Sequence, residues 1–165
     1  MFGNEPLRAD GQSIARSLAV LRIVTALLFL EHGTGKIFGF PMSSMAFPPP
    51  WTLFWVAGWI EVIGSLLLLF GLFTRPAAFV LAGEMAIAYW MIHAPESPFP
   101  IINRGETAIL FCFIFLLFSA TGPGTWSVDQ AMQKRRDEGE PGVEGYAGLG
   151  GERHYRPEDF GDKTI

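Results

Sequence analysis

The stretch LLLLFGLF, Leu66 to Phe73, carries no polar side chain on any face. A helix on the outside of a soluble bundle needs a polar stripe recurring with the 3.6-residue helical period. LFCFIFLLF, Leu110 to Phe118, lacks one as well. Four buried helices of a soluble bundle are therefore rejected. The chain reads as all-α and integral to a membrane, where each segment must satisfy its backbone groups internally.

Four segments fit this reading: Ile14–Leu30, Leu53–Phe73, Pro76–Ala94 and Gly105–Thr121. Each approaches the roughly 20 residues that cross a hydrocarbon core, the first and last being somewhat short. Turn residues mark their limits. Thr74-Arg75-Pro76 separates the second from the third, with Pro76 suited to a helix start. Pro95 closes the third and Gly122-Pro123-Gly124 the fourth. The expected fold is a membrane four-helix bundle over residues 14–121. A short cytoplasmic segment, 1–13, precedes it, and a mostly disordered cytoplasmic tail, 122–165, follows. That tail is glycine-rich, charged and poor in large aliphatics, so it cannot offset its ordering entropy by burial. Helix through Gln133 is compatible with its sequence.

Composition agrees. Half of the 165 residues are apolar and 17% are charged, below the roughly 25% of soluble domains. The mean hydropathy is +0.30. Most charges lie before Ser17 or after Gly124, leaving the middle far more apolar than the average. Fifteen Phe and five Trp suit a bilayer with aromatic residues near its interfaces. A single cysteine, Cys112, excludes an intramolecular disulfide framework and a cysteine metal cluster. The first apolar run lacks a small-x-small exit, so it is expected to remain in the mature protein.

Lys and Arg set the orientation. The N-terminus, the Arg75 loop and the C-terminus share one side, which carries Arg8, Arg16, Arg75, Lys134, Arg135 and Arg136. The opposite side has Lys36 and Arg104. The positive-inside bias puts both termini in the cytoplasm.

The ionisable residues within spans are costly and rarely face lipid. Counting at about 1.5 Å per residue puts Arg22 roughly 15 Å below His32. Glu61 falls roughly 12 Å below Leu53, and Glu84 roughly 13 Å below His93. Arg22, Glu61 and Glu84 are thus expected in one layer, as a ligand-binding or proton-relaying site or as a structural ion pair. One Arg cannot neutralise two carboxylates, so the spare one carries a proton or is solvated by a water-filled cavity. Small residues around them favour burial: Ala57, Gly58, Gly64 and Ser65 near Glu61, and Gly83 and Ala88 near Glu84.

A second cluster is expected at the outer mouth: Glu31, His32, Lys36, His93, Glu96, Asn103, Arg104 and Glu106. Its first part, EHGTGKIFGF from Glu31 to Phe40, reads as the outer rim of the first helix, where glycines let the chain turn. Gly33-x-Gly35-Lys36 lacks the spacing of a phosphate loop. Neither histidine belongs to a repeated ligand spacing, so no haem and no metal site is expected. No zinc motif, dinucleotide fingerprint or nucleophile elbow occurs.

LRIVTALLFLEHGTGKIFGF, GWIEVIGSLLLLFGLFTRPAAFVLAGEMAIA and INRGETAILF together resemble the DoxX family of small bacterial membrane proteins. The likeness runs from about Leu21 to Ala120. Its most specific part is the G-L-x-T-R turn after a glutamate-bearing helix. Arg104 stands where the family's Asn-Gly-Gly-Glu pattern has its first glycine. The resemblance implies a bacterial cytoplasmic-membrane protein serving as subunit of a redox-linked, quinone-associated assembly. Quinone is the cofactor it suggests, and an oxidoreductase-associated role the activity. It also leaves a non-catalytic scaffold for soluble partners, or a small transporter acting as an oligomer. Membrane lipid, redox partner proteins or further copies of the chain are the expected partners, and nucleic acid is not. Arg22, His32 and Glu61 could supply a quinone head with donors and a proton route.

Overall fold

A computed structural model describes residues 10–41 and 48–139. All regular structure among them is helical. The first helix, α1 (Gly11–Phe38), starts at Asp10, whose carboxylate accepts the Gln12 N–H at 3.1 Å. It ends at Gly39, left-handed at φ 70°, whose N–H returns to the Gly35 carbonyl. Its 28 residues span roughly 42 Å, longer than a hydrocarbon core. EHGTGKIF is therefore helix rather than a turning rim. Gly33 faces the second helix there, where a Cβ would lie 2.8 Å from the Val62 backbone N.

Thr52 caps α2 (Leu53–Phe70), and Gly71 at φ 65° closes it with a Leu72 N–H to Leu67 carbonyl bond of 2.9 Å. α3 (Thr74–Ala88) runs on through a π-helical turn, Tyr89–His93. A one-turn α4 (Pro100–Asn103) leads into α5 (Glu106–Thr121), and α6 (Val128–Gly139) follows. Segments Gly11–Phe38, Leu53–Phe70 and Thr74–His93 are long and apolar enough to cross a membrane. Sixteen-residue α5 is apolar but shorter, roughly 24 Å.

α1 pairs mainly with α2, and α3 with α5, while α2 and α3 meet less closely. Where α1 crosses α5, Phe29 packs edge-on against Phe115 at 4.8 Å and tilted against Phe111 at 5.0 Å. Leu68, Leu81, Ala78, Ala82 and Phe118 complete the core. The outer surface is more apolar than that core suggests: Val24, Leu28, Ile63, Phe79, Ile87, Leu110 and Phe113 are all exposed. Large side chains outside and small ones at helix contacts are the arrangement lipid favours. Gly58, Gly64 and Ser65 are buried as expected. Gly83 is not: it is exposed, and a Cβ there would meet nothing within 4 Å.

Residues 122–139, expected to belong to a mostly disordered tail, are built onto the end where α1 begins, here termed proximal. The Thr125 N–H bonds the Ala15 carbonyl at 3.1 Å, and the Asp129 N–H bonds that of Gly71 at 2.9 Å. Both Asp129 oxygens accept the first N–H groups of α3, from Phe73 and Thr74, each at 2.9 Å. A carboxylate thus supplies the cap that Phe73 cannot. The remaining tail, 140–165, and the N-terminal residues 1–9 lie outside the described residues.

Candidate functional site

Two glycines bring α1 and α2 together at the distal end. A Cβ on Gly33 would lie 2.8 Å from the Val62 backbone N and 3.0 Å from Glu61 Cβ. One on Gly58 would meet Ile37 at 2.8 Å and Lys36 Cβ at 3.2 Å. This contact sets Lys36 against Glu61, with Nζ 2.6 Å from Oε1. Glu61 is 1% exposed, and the Lys36 side chain 19%. The pair is short and charge-assisted, the form in which a buried carboxylate is tolerated.

Arg22 takes no part in it. The continuation of α1 to Phe38 leaves Arg22 fourteen residues, roughly 21 Å, below Lys36. The layer expected from helix counting therefore does not form. Arg22 is 0% exposed, and its guanidinium donates to five backbone carbonyls. Nη1 bonds Leu68 at 2.7 Å and Leu69 at 3.0 Å. Nε bonds Pro123 at 3.0 Å, and Nη2 bonds Trp126 at 2.9 Å and Thr125 at 3.4 Å. All five guanidinium N–H groups are used, at a helix C-terminus whose dipole favours a cation. Arg22 is thus a proximal staple joining α1, α2 and the segment after α5.

Glu84, on α3, is the spare carboxyl. Neither of its buried oxygens has a hydrogen-bond partner among the described residues, nor does Glu61 Oε2. Two adjoining cavities open on these groups. The inner one, ≈ 370 Å³, is lined by Glu61, Lys36, His32, His93, Arg104 and Phe111 among others. The outer one, ≈ 340 Å³, is lined by Glu84, Lys36, Gly83, Ile60 and Val80 among others. Lys36, Phe54, Met85, Ala88 and Ile92 belong to both walls. Each cavity is of the size that holds a small ligand, and each is mostly apolar with a few polar groups.

The residues expected at the mouth divide. His32 sits edge-on to Phe111 at 5.8 Å, and His93 stacks on Tyr89 at 6.5 Å. His93 Nδ1 lies 2.8 Å from the Asn103 carbonyl. A carbonyl only accepts, so Nδ1 carries the hydrogen and Nε2 of the neutral ring is an acceptor. Asn103 is buried and structural. Its amide donates to the Ser97 carbonyl at 2.7 Å, and its Oδ1 accepts the Gly105 N–H at 2.7 Å. This bracket holds the turn in which Arg104 adopts φ 58°. Glu31, Glu96 and Glu106 are exposed and line neither cavity. Of the walls, Ala88 was expected near Glu84, whereas Phe54, Met85, Ile92 and Thr107 were not singled out from sequence. Only the spacing of Met85, Ala88 and Ile92 along one helical face signals them. No group of three or more metal-ligating side chains occurs among the described residues.

The DoxX family model matches residues 17–94, which include Arg22, Lys36, Glu61 and Glu84. An uncharacterized protein of Haemophilus influenzae is 46% identical over 125 residues, covering 72% of this chain and 92% of its own. The inner membrane protein YphA of Escherichia coli is 32% identical, covering 68% of this chain and 88% of its own. The inner membrane protein YqjF, also of Escherichia coli, is 29% identical over 70% and 92%. No solved structure matches. With a pair of cavities set between apolar helices and relatives named as inner membrane proteins, the chain is a membrane protein that belongs to the DoxX family.

Proposed function

We propose that the chain is a quinone- or quinol-binding subunit of a redox-linked assembly in the bacterial inner membrane, with both termini cytoplasmic. The observation that carries this is the pair of apolar-walled cavities meeting at Lys36, Glu61 and the unpartnered Glu84. A quinone head is a flat, mostly apolar ring with two oxygens at opposite ends. It needs donors when oxidised and proton acceptors when reduced. Lys36 and Arg104 are donors, and His93 Nε2 and Glu84 are acceptors. An unpaired buried carboxyl is costly, and a ligand O–H offsets that cost. Oxidation of a quinol releases two protons and two electrons. The chain's own residues hold the head and accept the two protons, one at Glu84 and one at His93 Nε2, while a partner redox protein takes the two electrons. Arg22, saturated by carbonyls, has no share in the ligand.

The orientation rests on basic residues. Arg16, Arg75, Lys134, Arg135 and Arg136 lie at or beyond the proximal end, whereas Lys36 and Arg104 line the distal cavity. Binding is tested on the full chain in lipid nanodiscs by quenching of tryptophan fluorescence with a tailless benzoquinone and its reduced form. The wild type binds, and Glu84→Gln weakens the quinol by about ten-fold, the worth of one good hydrogen bond. No saturable quenching by either form would end this reading.

A further inference from the structure

An apolar hollow of ≈ 690 Å³ lies on the surface between α2 and α3, walled by Trp55, Trp59, Ile63, Leu67, Phe73 and Pro76. It arises because α2 and α3 are joined at their proximal turn but packed mainly on other helices. It also adjoins the outer cavity: Val56, Ile60 and Val80 line both. A trough open to lipid thus runs along α2 beside the cavity that holds a buried carboxyl without a hydrogen-bond partner among the described residues.

We infer that this trough holds the hydrocarbon tail of the ligand, which enters sideways from the bilayer and sets its small polar head beside Glu84. From Val56 to Leu67 the trough runs along eleven residues of helix, roughly 16 Å. That suits an extended chain and exceeds the need of any ring. Val80 and Phe73 are 54% and 61% exposed, so the trough faces the lipid. The depth of Glu84 selects the head. It lies nine residues, roughly 13 Å, below His93 at the helix end. A phosphate-bearing head cannot be carried that far into hydrocarbon without great cost. A small neutral head with a hydroxyl or carbonyl can. Membrane lipid against the other apolar faces has no such polar terminus to reach.

The choice of head rests on the quinone reading above; the tail does not. The test uses the full chain in nanodiscs and compares a tailless benzoquinone with the same ring bearing a decyl chain, at equal mole fraction in the bilayer. Trp55 and Trp59 in the trough report occupancy by quenching. The tailed ring binds about ten-fold tighter than the tailless one. Ile63→Trp, which fills the trough at a half-exposed position that lines neither head cavity, removes most of that advantage and leaves the tailless ring's affinity unchanged. Ile63→Ala, which spares the packing, keeps it. Equal affinities for the two rings, or indifference of the tailed ring to Ile63→Trp, overturn the inference while leaving the quinone reading intact. If neither ring binds, that reading fails, and decylamine, a tailed cation complementary to a carboxylate, replaces the rings. Displacement of decylamine by Ile63→Trp then supports the trough, and indifference rejects it.

Discussion

At the scale of single residues, the Lys36–Glu61 pair is a buried charge pair that each partner needs. Removing one partner of a buried pair strands the other, at about 3–5 kcal/mol. Lys36 is partly exposed, which puts this pair at the lower end of that range. Lys36→Met is therefore expected to lower stability by about 3 kcal/mol. Adding Glu61→Gln should recover most of the loss, because a neutral amide needs no counter-charge. Thermal unfolding of the two variants in the same detergent decides it. A double variant as unstable as the single one would mean that Lys36 acts through its aliphatic stem. Both residues are recognisable in the sequence as groups that do not belong in hydrocarbon. Their partnership is not, because it depends on how far α1 extends. Counting depth from His32 instead of Phe38 moves Arg22 into a layer where it does not lie. The cost of burying a charge shows that each needs a partner, without saying which one.

The elements were legible where hydropathy alone decides. Helix type, the second and third spans and the turn at Pro95 follow from apolar runs and their punctuation, whereas the turn between those spans lies at Gly71–Phe73 and the expected turn Thr74-Arg75-Pro76 is the first turn of α3. The end of α1 does not, because EHGTGK has the composition of a loop. Tertiary contact outweighs local preference there. Gly33 lies where α2 passes within backbone contact, and Lys36 finds a carboxylate. The docking of residues 122–129 was hidden for the same reason: its bonds are to backbone carbonyls and N–H groups, which leave no trace in composition. Two glycines, one on α1 and one on α3, then give opposite expectations. Gly33→Val forces α1 away from the Val62 backbone, costing about 1–3 kcal/mol. It also separates Lys36 from Glu61. Gly83→Ala meets nothing within 4 Å in an exposed helix interior, so it is neutral or stabilises by up to about 1 kcal/mol. Unfolding midpoints for the pair check this. A Gly33→Val protein as stable as wild type would show that the α1–α2 contact yields easily.

Across the whole molecule, the two ends have different duties. The distal end holds cavities and incompletely satisfied polar groups, where a ligand can act. The proximal end is tied together: Arg22 spends every N–H on carbonyls of α2 and residues 123–126, and Asp129 closes the start of α3. These ties differ in depth, so their losses should differ in kind. Asp129→Ala removes an outlying cap worth about 1 kcal/mol. Amide hydrogen exchange should then quicken at Phe73, Thr74 and through α6, with ligand binding at the distal end unchanged. Arg22→Leu leaves five carbonyls without their donor in the interior, and bonds to a charged group are worth about 1.5–3 kcal/mol each. The sum is a large part of what a domain this size has to lose, so this variant should fail to accumulate in the membrane. Arg22→Lys, with one ammonium in place of a planar fork, reaches only some of those carbonyls and should fall between the two. Arg22→Leu accumulating normally, with wild-type exchange at the proximal end, would show that the staple is dispensable. It would return Arg22 to consideration as a functional charge.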